Sequence, residues 1–324
     1  MSKEQDSENL KIGTESYKGV RDFYPEDMAV QNYIFSVWRK VAEQFKYQEY
    51  SASILEYANL YRSKGSDEIV NEQMYLFKDK GDREVALRPE MTPTLARMIA
   101  AKRKSLKFPL RWYSIPNVFR YERPQRGRRR EHWQLNCDLM GIAGIEAEVE
   151  IISIAHAIMK EFGAKDEDFE IRINSRKLLQ EAYAPILKDP SKPEMLFRLM
   201  DKKEKMEKGE FESEWEKIFT GPFKEAKQID SPKLGEIMQT LEKQGIKTKF
   251  DISITRGFDY YTDVVFEVFD TNPENRRSLF GGGRYDNLLE MFGVEPVPTV
   301  GFGMGDVTIR DFLTTHNLPL LSQT

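Results

Sequence analysis

Between Phe119 and Gln134 the chain reads FRYERPQRGRRREHWQ, with six arginines (120, 123, 126, 128, 129 and 130) around a turn-permitting Gly127. Guanidinium groups grip phosphate oxygens through paired N–H bonds, so such a loop suits a polyphosphate or a nucleic-acid backbone. A solvated basic loop is the ordinary alternative for a short arginine run. A second segment, Ile254 to Asp270 (ITRGFDYYTDVVFEVFD), sets an Arg, a Gly, an Asp and two tyrosines just before an apolar run. The GGGRYDNLLEMFG that follows has three glycines, which either hold a phosphate or let backbones approach closely. In LRPEMT, Leu87 to Thr92, Glu90 follows a proline in apolar, strand-like surroundings. Carboxylates are rarely buried unpaired, so Glu90 invites a cationic partner.

The elements that must position these residues are legible in outline. Pro25 begins a helix with Glu26 and Asp27 in its first turn, running through Val30, Ile34, Val37, Trp38, Val41 and Phe45. QMYLFKD and EVALRPE read as short strands, and RWYSIPNVFRYE and HWQLNCDLMG as two strands flanking the basic loop. Ile145 to Phe162 is an amphipathic helix ended by Gly163. FEIRINS alternates like a strand, and strand signals return at KFDISI and DVVFEVFD. Between Arg176 and Gly245 the chain is rich in Lys and Glu, helix-prone and without strand signals; its extreme, Asp201 to Lys217, reads as a solvated helical face. Strands, a helical interruption and strands again predict an α+β fold, an antiparallel sheet flanked by helices and carrying a helical insertion. The divisions are a mobile tail over 1–16, a first core part over 17–175, the insertion over 176–245 and a second core part over 246–324.

Composition narrows the chemistry. With 40% hydrophobic and 31% charged residues in 324, the chain is globular. One Cys (Cys137) excludes a disulfide framework, and three His (132, 156 and 316) argue against a His-based metal cluster. No side-chain metal site is identified. No apolar run approaches the ~20 residues of a membrane span, and the N-terminus lacks a secretory h-region, which predicts a cytoplasmic protein. A net charge of −4 argues against a basic coat over the whole surface, leaving nucleic-acid contact to a local patch.

Taken in order, YKGVRDFYPEDM, LRPEMT, FRYERPQRGRRREHWQ, TRGFDYYTDVVFEV, GGGRYDNL and TVGFGMG resemble the catalytic core of a class II aminoacyl-tRNA synthetase of the histidyl-tRNA synthetase family, from about Tyr17 to Phe312. The resemblance implies activation of L-histidine with ATP and Mg2+, then transfer to the histidine tRNA, by a homodimer. Arg120 and Arg256 would be catalytic, flanking the α-phosphate. Glu90, Thr92 and Gln134 would take the α-amino group. Asp138 and Tyr261 would bond the imidazole nitrogens, with Tyr260 closing the pocket. Besides the two catalytic arginines, Glu122, Arg128, Arg130, His132, Gly303 and Gly305 would line the ATP site. Arg123 and Gln125 would meet the tRNA acceptor end, and the insertion would close over the acceptor stem.

Three positions depart from the family's pattern: His132 where a Phe commonly stacks on adenine, Ser53 where the first motif carries a Pro, and Thr308 where the third motif supplies an Arg. Arg310 lies about 200° further around a helix and points elsewhere. Arg276 and Arg277 are the candidate replacements. The alternative function is a histidine-sensing regulatory paralogue, resembling the regulatory subunit of ATP phosphoribosyltransferase; the complete second motif weighs against it. The length, which leaves nothing for an anticodon-binding domain, predicts a catalytic fragment.

Overall fold

Pro25 supplies the fixed φ that opens α1 (Pro25–Gln44), with Glu26 and Asp27 where the helix dipole favours acids. Ile34, Val37, Trp38 and Val41 are buried on one face of α1, as their spacing predicts. This computed structural model describes residues 13–62, 69–123, 125–203, 206–224, 231–275 and 277–321. Most of the tail and Arg276 lie outside them. The chain continues through β1 (Gln48–Glu49), β2 (Leu55–Tyr57), α2 (Ala58–Arg62), β3 (Tyr75–Lys78), β4 (Glu84–Leu87) and α3 (Thr92–Lys102). Next come β5 (Leu110–Ser114), β6 (Asn117–Phe119), β7 (Glu131–Met140), α4 (Glu146–Glu161) and β8 (Phe169–Ser175). Helices α5 (Arg176–Tyr183), α6 (Glu194–Lys202), α7 (Lys208–Ile218) and α8 (Pro232–Lys243) follow. The chain ends on β9 (Thr248–Phe250), β10 (Val264–Asp270), β11 (Ser278–Arg284), β12 (Thr299–Gly305) and α9 (Asp306–Thr315).

The main sheet runs β1-β5-β7-β12-β11-β10-β8-β9, with β6 also paired to β7. Its centre is antiparallel, as predicted. Its two edges are not: β1 lies parallel to β5, and β9 parallel to β8. Parallel neighbours need a long crossover, and the helical stretch between β8 and β9 supplies one. β9 also stops at Phe250, short of the strand that KFDISI suggests. Asp251 Oδ1 accepts from the Ser253 amide (3.0 Å) and hydroxyl (2.6 Å), and this local turn replaces the ladder.

Alternation along the central strands divides the sheet into two chemically different faces. Leu135, Cys137 and Leu139 of β7, with Val300, Phe302 and Met304 of β12, pack into one core with α1 and α4. Their alternate neighbours face the other way and form the site. The helices between β8 and β9 divide as well. Leu179, Tyr183, Leu196, Phe197, Phe211, Trp215 and Phe219 make a separate cluster, while Leu234, Ile237 and Leu241 of α8 join the main core.

Candidate active site

On the polar face of β7, Gln134, Asn136 and Asp138 stand opposite Gly305, Gly303 and Gly301 of β12. Gly281 and Gly283 of β11 continue those rows. The glycines act here through absence of bulk. A side chain at Gly301 would overlap the Asp138 carboxylate, and a Cβ at Gly303 would sit 2.9 Å from the Gln134 amide. The triple glycine is therefore strand floor, not a phosphate loop.

Of the residues singled out in the sequence, Glu90, Thr92, Arg120, Gln134 and Asp138 line one pocket. Arg256, Tyr260, Tyr261 and Gly303 line it too. Sequence reasoning missed Asn136, Phe258 and Tyr285 as lining residues. Tyr285 lies inside the GGGRYDNL motif, so the signal for it was present.

The turn that carries Glu90 is fixed two residues earlier, at Arg88. The buried Arg88 guanidinium donates to the carbonyls of Asn117 (Nε, 2.8 Å) and Ala52 (Nη1, 2.8 Å), pinning the turn before α3. The Glu90 carboxyl is 2% exposed, and Oε2 accepts from the Tyr260 hydroxyl at 3.3 Å. Oε1 is buried with no hydrogen-bond partner among the described residues. Burial pushes this carboxyl up to about 7, against the pull of Arg120 and the Tyr260 hydroxyl. A buried carboxylate with one unsatisfied oxygen in a pocket is a receptor for a cation.

Asp138 repeats this at another point of the pocket. Burial raises it to about 7, while a hydrogen bond from the Tyr285 hydroxyl opposes the rise. Tyr260, Tyr261 and Tyr285 pack against one another, with ring centroids 4.9 Å to 6.2 Å apart. Arg256 sits at φ +58°, a left-handed conformation that costs an arginine of order 1 kcal/mol or more. It pairs with Glu267 Oε1 at 2.9 Å. Burial works against its charge, but Glu267 and Tyr261 together outweigh burial and hold the guanidinium above its ordinary range. Arg120 anchors Nε on the Pro89 carbonyl at 2.9 Å. Two fixed guanidiniums and two buried carboxyls thus share one cavity.

The rest of the basic loop is not gathered at this pocket. Arg130 is buried with its guanidinium 3.9 Å over the Tyr121 ring, and it donates to the Tyr17 hydroxyl at 3.0 Å. Arg128 faces Glu122 at 3.5 Å. Arg123 and Gln125 are exposed, beside the turn made by Gln125–Arg128 and Gly127. His132 is held neutral, lowered to about 3 by burial and by Arg120 and Arg21, and it lies close to Gly305.

Thr308 donates its hydroxyl to the Leu279 carbonyl (2.8 Å) or the Gly305 carbonyl (3.1 Å). Arg310 turns away to Asp27 at 3.1 Å, as its helical position predicts. Arg277 donates to the Arg126 carbonyl at 3.0 Å, tying the turn before β11 to the basic loop. Ser53 accepts from the Leu55 amide at 3.2 Å and supports the local turn in place of a proline.

The mostly antiparallel sheet, with its site on the glycine-floored face, is a class II aminoacyl-tRNA synthetase fold. A solved structure described as an ATP phosphoribosyltransferase regulatory subunit/histidyl-tRNA synthetase from Bacillus halodurans shares it, with a TM-score of 0.76 over 92% of this chain and 83% of its own, at 22% identity. The family model for histidyl-tRNA synthetase matches residues 19–217 and 220–307. A histidine–tRNA ligase of Leptospira biflexa is 45% identical over 331 residues, covering 95% of this chain and 76% of its own length. One from Haloarcula marismortui is 38% identical, covering 91% of this chain and 74% of its own. The chain belongs to the histidyl-tRNA synthetase family.

Proposed function

We propose that the chain is a histidine–tRNA ligase that activates histidine with ATP in the Glu90–Asp138 pocket and passes the histidyl group to its tRNA. The observation that carries this is the pair of buried carboxyls sharing a pocket with Arg120 and Arg256. Glu90 Oε1 gains its missing partner from the substrate ammonium, with Thr92 and Gln134 beside it. Asp138, oriented by Tyr285, and Tyr261 bond the two imidazole nitrogens, and Tyr260 closes the pocket. An amino acid without those nitrogens leaves buried polar groups unpaired, a heavy penalty. A histidine carboxylate oxygen attacks the α-phosphorus, forming a P–O bond. The bond to the bridging oxygen breaks, and pyrophosphate leaves with the electron pair. Arg120 and Arg256 hold the charge that builds on the α-phosphoryl oxygens, and their existing anchors mean little reorganisation is needed.

ATP is the co-substrate, with Glu122, Arg128, Arg130, His132, Gly303 and Gly305 assigned to its site. For Arg130 that assignment requires leaving its aromatic cage. Among the described residues no group of three or more His, Cys, Asp or Glu forms a cage for a metal ion. Mg2+ is assigned with the ATP and, when bound, would neutralise charge on the phosphates. Arg277, rather than the lost third-motif arginine, is the described cation assigned toward the outer phosphates. Arg123 and Gln125, exposed at the loop, are assigned to the acceptor end.

The catalytic core is assigned to 17–175 and 246–324, the insertion to 176–245 and the N-terminal tail to 1–16. A homodimer suits the exposed apolar residues Leu55, Tyr57 and Phe77 on the β2-β4-β3 sheet. A cytoplasmic setting is assigned with it; among the described residues no helix is long and apolar enough to cross a membrane.

ATP–pyrophosphate exchange, run with each amino acid in turn, tests the assignment. Histidine alone should support exchange. Exchange with another amino acid and not histidine would overturn the pocket's specificity.

A further inference from the structure

The loop that presents Arg256, Tyr260 and Tyr261 has no helix or strand of its own between β9 and β10. It is held from outside by side chains of the helical stretch. Arg198, on α6, makes a two-pronged ion pair with Asp259, the residue before Tyr260. Its Nε lies 3.2 Å from Oδ1, and Nη2 engages Oδ2. Arg176, at the start of α5, is buried and donates through Nη1 to the carbonyls of Phe258 and Tyr261, each at 2.9 Å. Its guanidinium lies 3.9 Å over the ring of Phe197, also on α6. The Thr255 hydroxyl donates to the Phe197 carbonyl at 3.3 Å. Neither Arg198 nor Arg176 lines the pocket.

We propose that Arg198 is a positioning residue for histidine binding. Through Asp259 it fixes the loop at the residue next to Tyr260, so the docking of α6 sets how well the two tyrosines are placed for the ring. This rests on the histidine assignment above and adds a regulatory link to it. A bidentate arginine–carboxylate pair fixes orientation as well as distance, which a loop without a hydrogen-bonded ladder needs. Linkage is reciprocal: whatever stabilises docked α6 raises affinity for histidine, and bound histidine stabilises that docking by the same factor. The helical segment is then a control element for the pocket, not merely an ornament on the core.

Histidine and ATP dependence of exchange, measured for the unmodified chain, Arg198→Ala, Arg198→Asp and the charge swap Arg198→Asp/Asp259→Arg, tests the link. Arg198→Ala should raise the histidine KM about tenfold, in line with coupling energies of contacting pairs, and leave the ATP KM and the melting temperature nearly unchanged. The swap should recover most of the affinity that Arg198→Asp loses. A histidine KM in Arg198→Ala equal to that of the unmodified chain would overturn the proposal, as would a swap no better than the single change. If the unmodified chain itself showed no histidine-dependent exchange, the parent assignment would fail, and this one with it. The two failures are therefore distinguishable.

Discussion

The Arg256→Ala variant should lose about a thousandfold in ATP–pyrophosphate exchange while binding histidine within a few-fold of the unmodified chain. The size follows from removing one preorganised charge from a water-poor site where negative charge develops, worth roughly 10²–10³ in rate. Binding should survive because the pocket's other polar groups, Glu90 in the turn before α3 and Gln134 and Asp138 on β7, lie off the Arg256 loop and keep their positions. Glu267 complicates the experiment, since Arg256→Ala strands a carboxylate that is paired at 2.9 Å. The double variant Arg256→Met/Glu267→Gln leaves no unpaired charge and should show the same loss of turnover. Exchange near the unmodified level in either variant, measured beside calorimetric histidine binding, would remove Arg256 from the chemistry.

Glu90→Gln should weaken histidine binding by about fiftyfold, corresponding to ~2.4 kcal/mol, within the range for a hydrogen bond to a charged group. It carries a pH signature as well. Without substrate the Glu90 carboxyl is raised to about 7, and its charged form is the one that receives an ammonium. Histidine affinity should therefore rise as pH climbs through about 7, and the Glu90 share of that rise should vanish in Glu90→Gln. Asp138, also raised to about 7, keeps its own share. Stability runs the opposite way. A folded carboxyl with a raised pKa binds protons that the unfolded chain has released, so its contribution is full below about 4.5 and is lost as pH rises through about 7. Ligand-free Glu90→Gln should thus gain melting temperature relative to the unmodified chain between pH 5 and pH 8. A difference that stays flat across that window would contradict the buried, unpaired carboxyl.

The pocket was legible in the sequence because its parts are short motifs whose chemistry survives out of context. Glu90 stood out as a carboxylate in an apolar run, and its burial at 2% exposure fits that oddity. The arginine run was legible as charge but not as direction. Arg130 lies over Tyr121 and Arg310 pairs with Asp27; only the helical period told anything about where the latter points. Tyr285 sat unremarked beside the glycines, since its partner Asp138 is 147 residues away. Arg198 lies in the generic helix-prone stretch, just before the Asp201–Lys217 run read as a solvated face, and nothing local marked it, since its partner Asp259 is 61 residues on. In KFDISI the alternation was real, but an Asp two residues before a Ser is a turn former, and the turn won. Local pattern carries helices, strands and isolated misfits; pairings across the sheet are made by the fold.

In the proposed function, this pocket joins histidine to the α-phosphate of ATP. Acid-quenching a stoichiometric mixture of the chain, histidine, ATP and Mg2+ after a few seconds, then assaying by mass spectrometry for histidyl-adenylate, tests it most directly. Adenylate should approach one equivalent per pocket, with pyrophosphate released in equal amount. A chain that binds histidine by calorimetry yet yields neither product would contradict that function and leave a sensor in place of an enzyme.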